Sequence, residues 1–368
     1  MQTKNTPPNQ EELDTTPKVK PYNMHGTAGF TSIFAQGPGE NDLSEFKPNP
    51  PSGQLVYHSD GAYSEFVPAK DGKTKPGRPI APYLPSEKIV ELVRLAQILQ
   101  RPVLLKGEPG SGKTQLAKAL AAEWYGDNYQ QHYFEWHIKS TSKAVDGLYT
   151  FDHVRRLRDA QLKINPIDNK PFDLSEKNYR SFGPMANAFL TSTRDFPSIL
   201  LIDEIDKADI DFPNDLLLEL DEKRFKIPET DELIEARYPP IIFITSNDER
   251  ELPEAFLRRC LFMYIKFPEE KQLTEIIRAQ IKGIVEEQAD FVKAAIERFN
   301  ELRKKIAENP TYGKRVSTGE MLDWLKAYRF NKEMHTPEHY TKEGLEKLPY
   351  YYQALLKTYP SAKNEGKD

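Results

Sequence analysis

The chain has 368 residues, of which 38% are hydrophobic and 29% charged, a length that accommodates two domains and a tail. Its net charge of −5 offers no general attraction to nucleic acid, and its single cysteine, Cys260, excludes a disulfide framework and a cysteine-ligated metal cluster. No run of about 18 apolar residues is present to span a bilayer, and Met1 to Glu11 holds no apolar stretch of signal-peptide type, so a cytoplasmic protein without membrane insertion is expected.

Residues 1–84 form a proline-rich arm of weak periodicity, with short strand candidates at 55–57 and 62–67 and much irregular chain between them. Scattered aromatics such as Phe30, Phe46 and Phe66 suit docking on the core or on a neighbouring subunit. Ser86 is a plausible N-cap for a helix carrying Ile89, Leu92, Val93, Ala96 and Leu99 at helical spacing. Strands are then predicted at 102–105, 133–138, 198–202, 241–245 and 261–265, with helices at 113–124 and 213–220 among them. Apolar strands separated by helices imply a parallel sheet covered on both faces. The expected fold is therefore α/β over 85–267.

Residues 268–330 are predicted helical, as a small lid domain. One helix is expected over 273–285 and a second carries Phe291, Ala295, Phe299, Leu302 and Ile306. A third starts with a capping box from Ser317 to Glu320. Residues 331–368 are a tyrosine-rich, then charged tail.

The strongest chemical signal is Gly107-Glu108-Pro109-Gly110-Ser111-Gly112-Lys113-Thr114. It matches G-x-x-x-x-G-K-[ST] between an apolar strand and a helical pattern. The glycines let the backbone wrap a polyphosphate, and amides at a helix start point at it. Lys113 would contact the β- and γ-phosphates and Thr114 would ligate Mg²⁺. A second signal is the run from Ile199 to Ile202 ending in Asp203-Glu204. Two acids at a strand's carboxyl end stand where ligands bind in open α/β sheets. Asp203 would hold Mg²⁺, and Glu204 would polarise the attacking water. Asp206, one turn further on, is expected as a cap or surface acid.

At the end of the fourth core strand, Asn247 follows Thr245 and Ser246. It would bond the attacking water or the γ-phosphate, although a turn-forming Asn before Asp248 gives the same pattern. Arg258 and Arg259 precede the fifth strand. They would be surface charges in most proteins, but in a ring one of them would reach the nucleotide of the next subunit. His132 and His137 lack partners at metal-ligand spacing and are expected to be structural or surface residues. The basic run from His153 to Arg158 is bracketed by Asp152 and Asp159 and is expected on a solvated or subunit-facing helix. Trp124, Trp136 and Trp324 are expected in cores.

In order and spacing, the phosphate loop, the acidic strand end, Thr245-Ser246-Asn247 and the Leu-Pro-Glu-Ala-x-Leu-x-Arg run from Leu252 to Arg259 resemble the AAA+ superfamily over residues 85–330. Phe225 to Thr230 followed by Ile234 to Arg237, together with the stretch from Lys139 to Leu157, resembles its MoxR branch. The resemblance implies an AAA+ five-stranded parallel sheet sandwiched by helices, followed by a helical lid. It makes Lys113 and Thr114 the Walker A pair, Asp203 and Glu204 the Walker B pair, and Asn247 sensor 1. Arg259 aligns with the arginine finger, with Arg258 beside it where the family often has an acid. The usual sensor 2 arginine falls near Gly319, which has no side chain, and Arg315 is the nearest substitute.

The resemblance also implies ATP and Mg²⁺ as cofactors, with adenine held near Leu84 to Ile89 and the lid. It implies a hexameric ring and a remodelled protein partner, often one with a von Willebrand factor A domain. The competing readings are a nucleic-acid-dependent motor, for which no basic aromatic pore loop is evident, and a nucleotide-gated scaffold of negligible turnover.

Overall fold

Runs such as Val103 to Leu105, Ile199 to Ile202 and Ile241 to Ile244 are apolar on both faces of a strand, and burial of both faces requires a layer on each side. The computed structural model of the chain, which describes residues 64–68, 74–80, 82–164, 171–308, 316–330 and 352–355, satisfies that requirement. In chain order it contains β1 (Ser64–Pro68), β2 (Thr74–Pro79), α1 (Glu87–Leu99), β3 (Val103–Gly107), α2 (Lys113–Tyr125), β4 (Tyr133–His137), α3 (Ala144–Leu148), β5 (Tyr149–Phe151), α4 (His153–Leu162), β6 (Arg180–Phe182), α5 (Pro184–Thr191) and β7 (Ile199–Asp203). There follow α6 (Phe212–Asp215), α7 (Leu217–Glu222), β8 (Arg224–Ile227), β9 (Glu232–Glu235), β10 (Ile241–Ser246), α8 (Glu254–Leu257), β11 (Leu261–Ile265), α9 (Glu270–Gln280), α10 (Ile284–Glu287), α11 (Ala289–Glu308), α12 (Thr318–Phe330) and α13 (Tyr352–Leu355).

Five of these strands form one sheet in the order β11-β3-β10-β7-β4, and every neighbouring pair is parallel. Alternate residues serve opposite faces. Val103, Leu105, Ile199, Leu201, Ile241 and Phe243 join α1 and α2 in one core. Leu104, Leu200, Ile202, Ile242 and Ile244 join residues of α3, α5, α7 and α8 in the other. This is the AAA+ α/β arrangement, with a helical region after it. α9 to α12 enclose a separate core around Leu273, Phe299, Trp324 and Tyr328. All three tryptophans are buried.

Two helices differ from the sequence expectation. The helix expected over 273–285 ends at Gln280 and restarts at Ile284, because Gly283 adopts φ +78°, a conformation that interrupts helical bonding. The helix expected over 213–220 is two short ones, α6 and α7. The strand expected at 62–67 overlaps β1, which pairs antiparallel with β2. Most of the arm, the 55–57 candidate, Arg315 and all but 352–355 of the tail lie outside the described residues. The 224–235 segment is an antiparallel hairpin, β8 with β9. A second pair, β5 with β6, flanks α4. No described helix is long and apolar enough to cross a membrane.

Candidate functional site

Parallel strands bring their carboxyl ends to one edge, where β3 runs into the phosphate loop, β7 ends at Asp203 and β10 ends at Ser246. A cleft of about 480 Å³ opens there. Gly110 to Thr114, Glu204, Thr245 and Asn247 line its floor. Tyr83, Leu84 and Ile89 close one side, and Ile276, Thr318 and Leu322 of the helical region close the other.

The phosphate loop is shaped by close neighbours. Gly110 has φ +75°, and a Cβ there would stand 2.2 Å from Cβ of Ser317, so both its backbone conformation and its surroundings demand glycine. Lys113 is the first residue of α2 and is buried. Its Nζ donates to the carbonyls of Gly107 at 2.8 Å and Glu108 at 2.9 Å. Burial pulls its ammonium below the ordinary lysine range, and the carboxylates of Asp206, Asp203, Glu204 and Glu108 push it back up. A buried cation whose hydrogen bonds among the described residues go to carbonyls suits exchange onto an anionic ligand. Oγ of Ser111 is also buried and meets no hydrogen-bond partner among the described residues. The donor set therefore fits a polyphosphate.

The acids at the end of β7 are set by the adjacent strand. β10 aligns Ile244 with Ile202, so Thr245 follows beside Asp203. Its hydroxyl donates to Asp203 Oδ1 at 2.6 Å and accepts from the Glu204 amide at 2.8 Å. Thr114 Oγ1 donates to the same Asp203 oxygen at 2.8 Å. A hydroxyl and a carboxylate side by side are oxygen ligands of the kind Mg²⁺ takes. Glu204 sits at φ 60°, ψ 51°, a left-handed conformation uncommon outside glycine and concentrated at functional sites. It turns the carboxylate out of the strand. Asn247 Nδ2 donates to Oε1 of Glu204 at 3.0 Å, and Lys207 pairs with its other oxygen.

Asp206 is buried, not a surface acid. Its Oδ2 accepts from the backbone amides of Asn247 and Glu249, each at 3.0 Å. It pins the loop that carries Asn247. Sequence spacing missed this role and that of Thr245, because both depend on a partner about 40 residues away.

His137 is exposed, as expected of a surface histidine, but carboxylates that its spacing did not reveal lie beside it. Its Nδ1 lies 3.3 Å from Asp203 Oδ2 and its Nε2 lies 3.2 Å from Glu135 Oε1. Glu135, His137 and Asp203 each offer one ligand atom, all within 4.8 Å of one another. The partners come from alternate positions on β4 and from β7, which aligns Asp203 with His137. His132 is half-buried among the rings of Tyr125 and Phe196, and burial lowers its pKa. In α4, Asp152 caps the helix by accepting from the Arg155 amide, and Arg156 pairs with Glu176, consistent with a solvated basic face.

Arg258 and Arg259 do not reach this cleft. They line another one with Arg101, Asp221 and Lys223. Arg259 pairs with Asp221, and Arg258 pairs with Glu254. Arg101 donates to the carbonyls of Arg258, Arg259 and Cys260, the last two at 3.1 and 3.4 Å. One guanidinium thus clamps the backbone that presents both arginines. Gly319 lines the nucleotide-sized cleft without a side chain to offer.

Residues 102–260 match the family described as the AAA domain, dynein-related subfamily. That match supports an AAA+ P-loop ATPase domain in this stretch, in agreement with the sheet order and the phosphate loop. No curated protein matches the chain.

Proposed function

We propose that the chain is a Mg²⁺-dependent ATP hydrolase of the MoxR type that works as a ring, most simply a hexamer, and remodels a protein partner. A partner with a von Willebrand factor A domain is the first to test. The observation that carries the reading is the convergence of Lys113, Thr114, Asp203, Glu204 and Asn247 on one cleft. Lys113 and the loop amides bind the phosphates. Thr114 and Asp203 would hold Mg²⁺, which would supply positive charge against that of the phosphates. Glu204 accepts a proton from the attacking water, and Asn247 fixes the carboxylate for that task. Tyr83, Leu84 and Ile89 face the base. We take 85–267 and 268–330 as the two domains, a division supported by the change from sheet-based cores to a helical core along the chain.

The arginine pair supports assembly into a ring. It occupies a cleft separate from the nucleotide cleft of its own subunit, as a group acting on a neighbour's nucleotide must. A trans arginine is worth on the order of 10³ or more in rate. The test is ATP hydrolysis across a protein concentration series, with molar mass followed by light scattering, for the wild type and Arg259→Ala. Specific activity should climb with assembly and collapse in the variant. A rate independent of concentration and insensitive to both arginines would favour the nucleotide-gated scaffold. Stimulation by added DNA would favour the nucleic-acid motor.

A further inference from the structure

Arg303 lies on α11, in the helical region, and its side chain is 12% exposed. Its guanidinium centre sits 3.4 Å from the ring centroid of Phe267, in the segment joining β11 to α9. The same guanidinium donates to the carbonyl of Val316 and pairs with the carboxylate of Glu108. One side chain therefore joins the helical lid, the connection between the two regions and the phosphate loop. Phe267 and Val316 fix the plane of the guanidinium, so its direction toward Glu108 is set before any ligand arrives.

Two further contacts give this pairing a route to the ligand. Ser317, next to Val316, fills the space left by the missing Cβ of Gly110. The carbonyl of Glu108 accepts from Lys113 Nζ at 2.9 Å. A lid displacement that breaks the Arg303–Glu108 pair also withdraws Ser317 from the loop and removes the lid's hold on the side chain of the residue whose carbonyl accepts from Lys113. Gly319, by contrast, has nothing with which to reach a phosphate.

On the reading of this cleft as an ATP site, we propose that Arg303 is a positioning residue: it couples lid closure to the phosphate loop through Glu108 and so sets nucleotide affinity. It touches no phosphate itself. Loss of the coupling would cost about tenfold in affinity, within the usual range for coupled sites.

The experiment is a double-mutant cycle on the full chain, reading the Kd of a fluorescent methylanthraniloyl-ATP at fixed Mg²⁺. Arg303→Met and Glu108→Gln should each weaken binding about tenfold, and the double variant no more than either alone. Arg303→Lys keeps the charge but not the fork of donors, and it should lie between wild type and Arg303→Met. It replaces Arg303→Met in the cycle if that variant does not fold. Multiplying losses in the double variant, near hundredfold, would overturn the coupling, as would unchanged affinity in Glu108→Gln. A purely structural role for Arg303 would lower the nucleotide-free melting temperature and leave the two effects independent. Lys113→Ala separates the underlying reading: if it binds the analogue as tightly as wild type, the cleft is not the ATP site, whatever the cycle shows.

Discussion

Asn247 and Glu204 are joined by a 3.0 Å hydrogen bond from the amide of one to the carboxylate of the other, across the tips of two adjacent parallel strands. The bond orients Glu204 while leaving it an acceptor. Glu204→Gln should lose at least 100-fold in kcat, the scale of general-base catalysis, and keep its affinity for ATP. Asn247→Ala should lower kcat about tenfold with little change in KM, because it removes orientation and not the base. Steady-state kinetics with a parallel binding titration checks both.

Asp206 acts one step further out. Asp206→Ala leaves the partly buried amides of Asn247 and Glu249 without this acceptor, which costs about 1 kcal/mol. The melting temperature should fall, and kcat should fall with it as Asn247 loses its anchor. Hydrolysis measured well below the new melting temperature separates the two effects. An unaltered kcat would remove Asp206 from the positioning of Asn247.

Thr114 and Asp203 share the oxygen pair proposed to hold Mg²⁺. Thr114→Val keeps the shape and deletes the ligand. The Mg²⁺ concentration for half-maximal hydrolysis should rise about tenfold, whereas saturating Mg²⁺ restores part of the rate. Chelation by EDTA should abolish turnover in both proteins. A Mg²⁺ dependence identical to wild type would exclude the Thr114 hydroxyl as a ligand.

Glu123 lies buried on α2, and its Oε2 meets no hydrogen-bond partner among the described residues. Burial pushes its carboxyl well above the ordinary range. The folded protein therefore holds a proton that the unfolded chain releases above about pH 4.3. Stability from this group is full below that value and is lost as pH rises toward the folded pKa. Glu123→Gln should raise the melting temperature at pH 8 and change it little at pH 5. Equal effects at both pH values would show that the carboxyl stays charged in the fold.

Gly110→Ala tests the fit between the phosphate loop and the helical region. The variant must hold φ +75° and displace Ser317, a strain of about 1–3 kcal/mol. ATP affinity should fall at least tenfold, read by the same fluorescence titration. A Gly319→Ala control, where the nearest atom to a new Cβ is 3.9 Å away, should bind normally.

Much of this was legible in the chain itself. Apolar runs bounded by turns predict the three central strands, because a strand buried on both faces must be apolar, whereas the edge strands β4 and β11 are partly exposed and β4 carries Glu135 and His137. The phosphate loop and the acids after Ile202 are local patterns, with their chemistry carried by neighbours in sequence. The capping box at Ser317 is equally local, and its reciprocal bonds with Glu320 are present. What the tertiary structure alone decided are the relationships between distant segments. Strand register brought Thr245 and His137 to Asp203. Asp206 became a buried anchor because the loop after β10 folds over it. Arg101 reached the carbonyls of Arg258 to Cys260 across more than 150 residues, and Arg303 reached Glu108 across 195. A side chain's charge and size are properties of its own position, whereas a hydrogen-bond partner depends on how sheet and lid pack. The sequence by itself determined which chemistry was at hand, and packing determined which residues hold it in place.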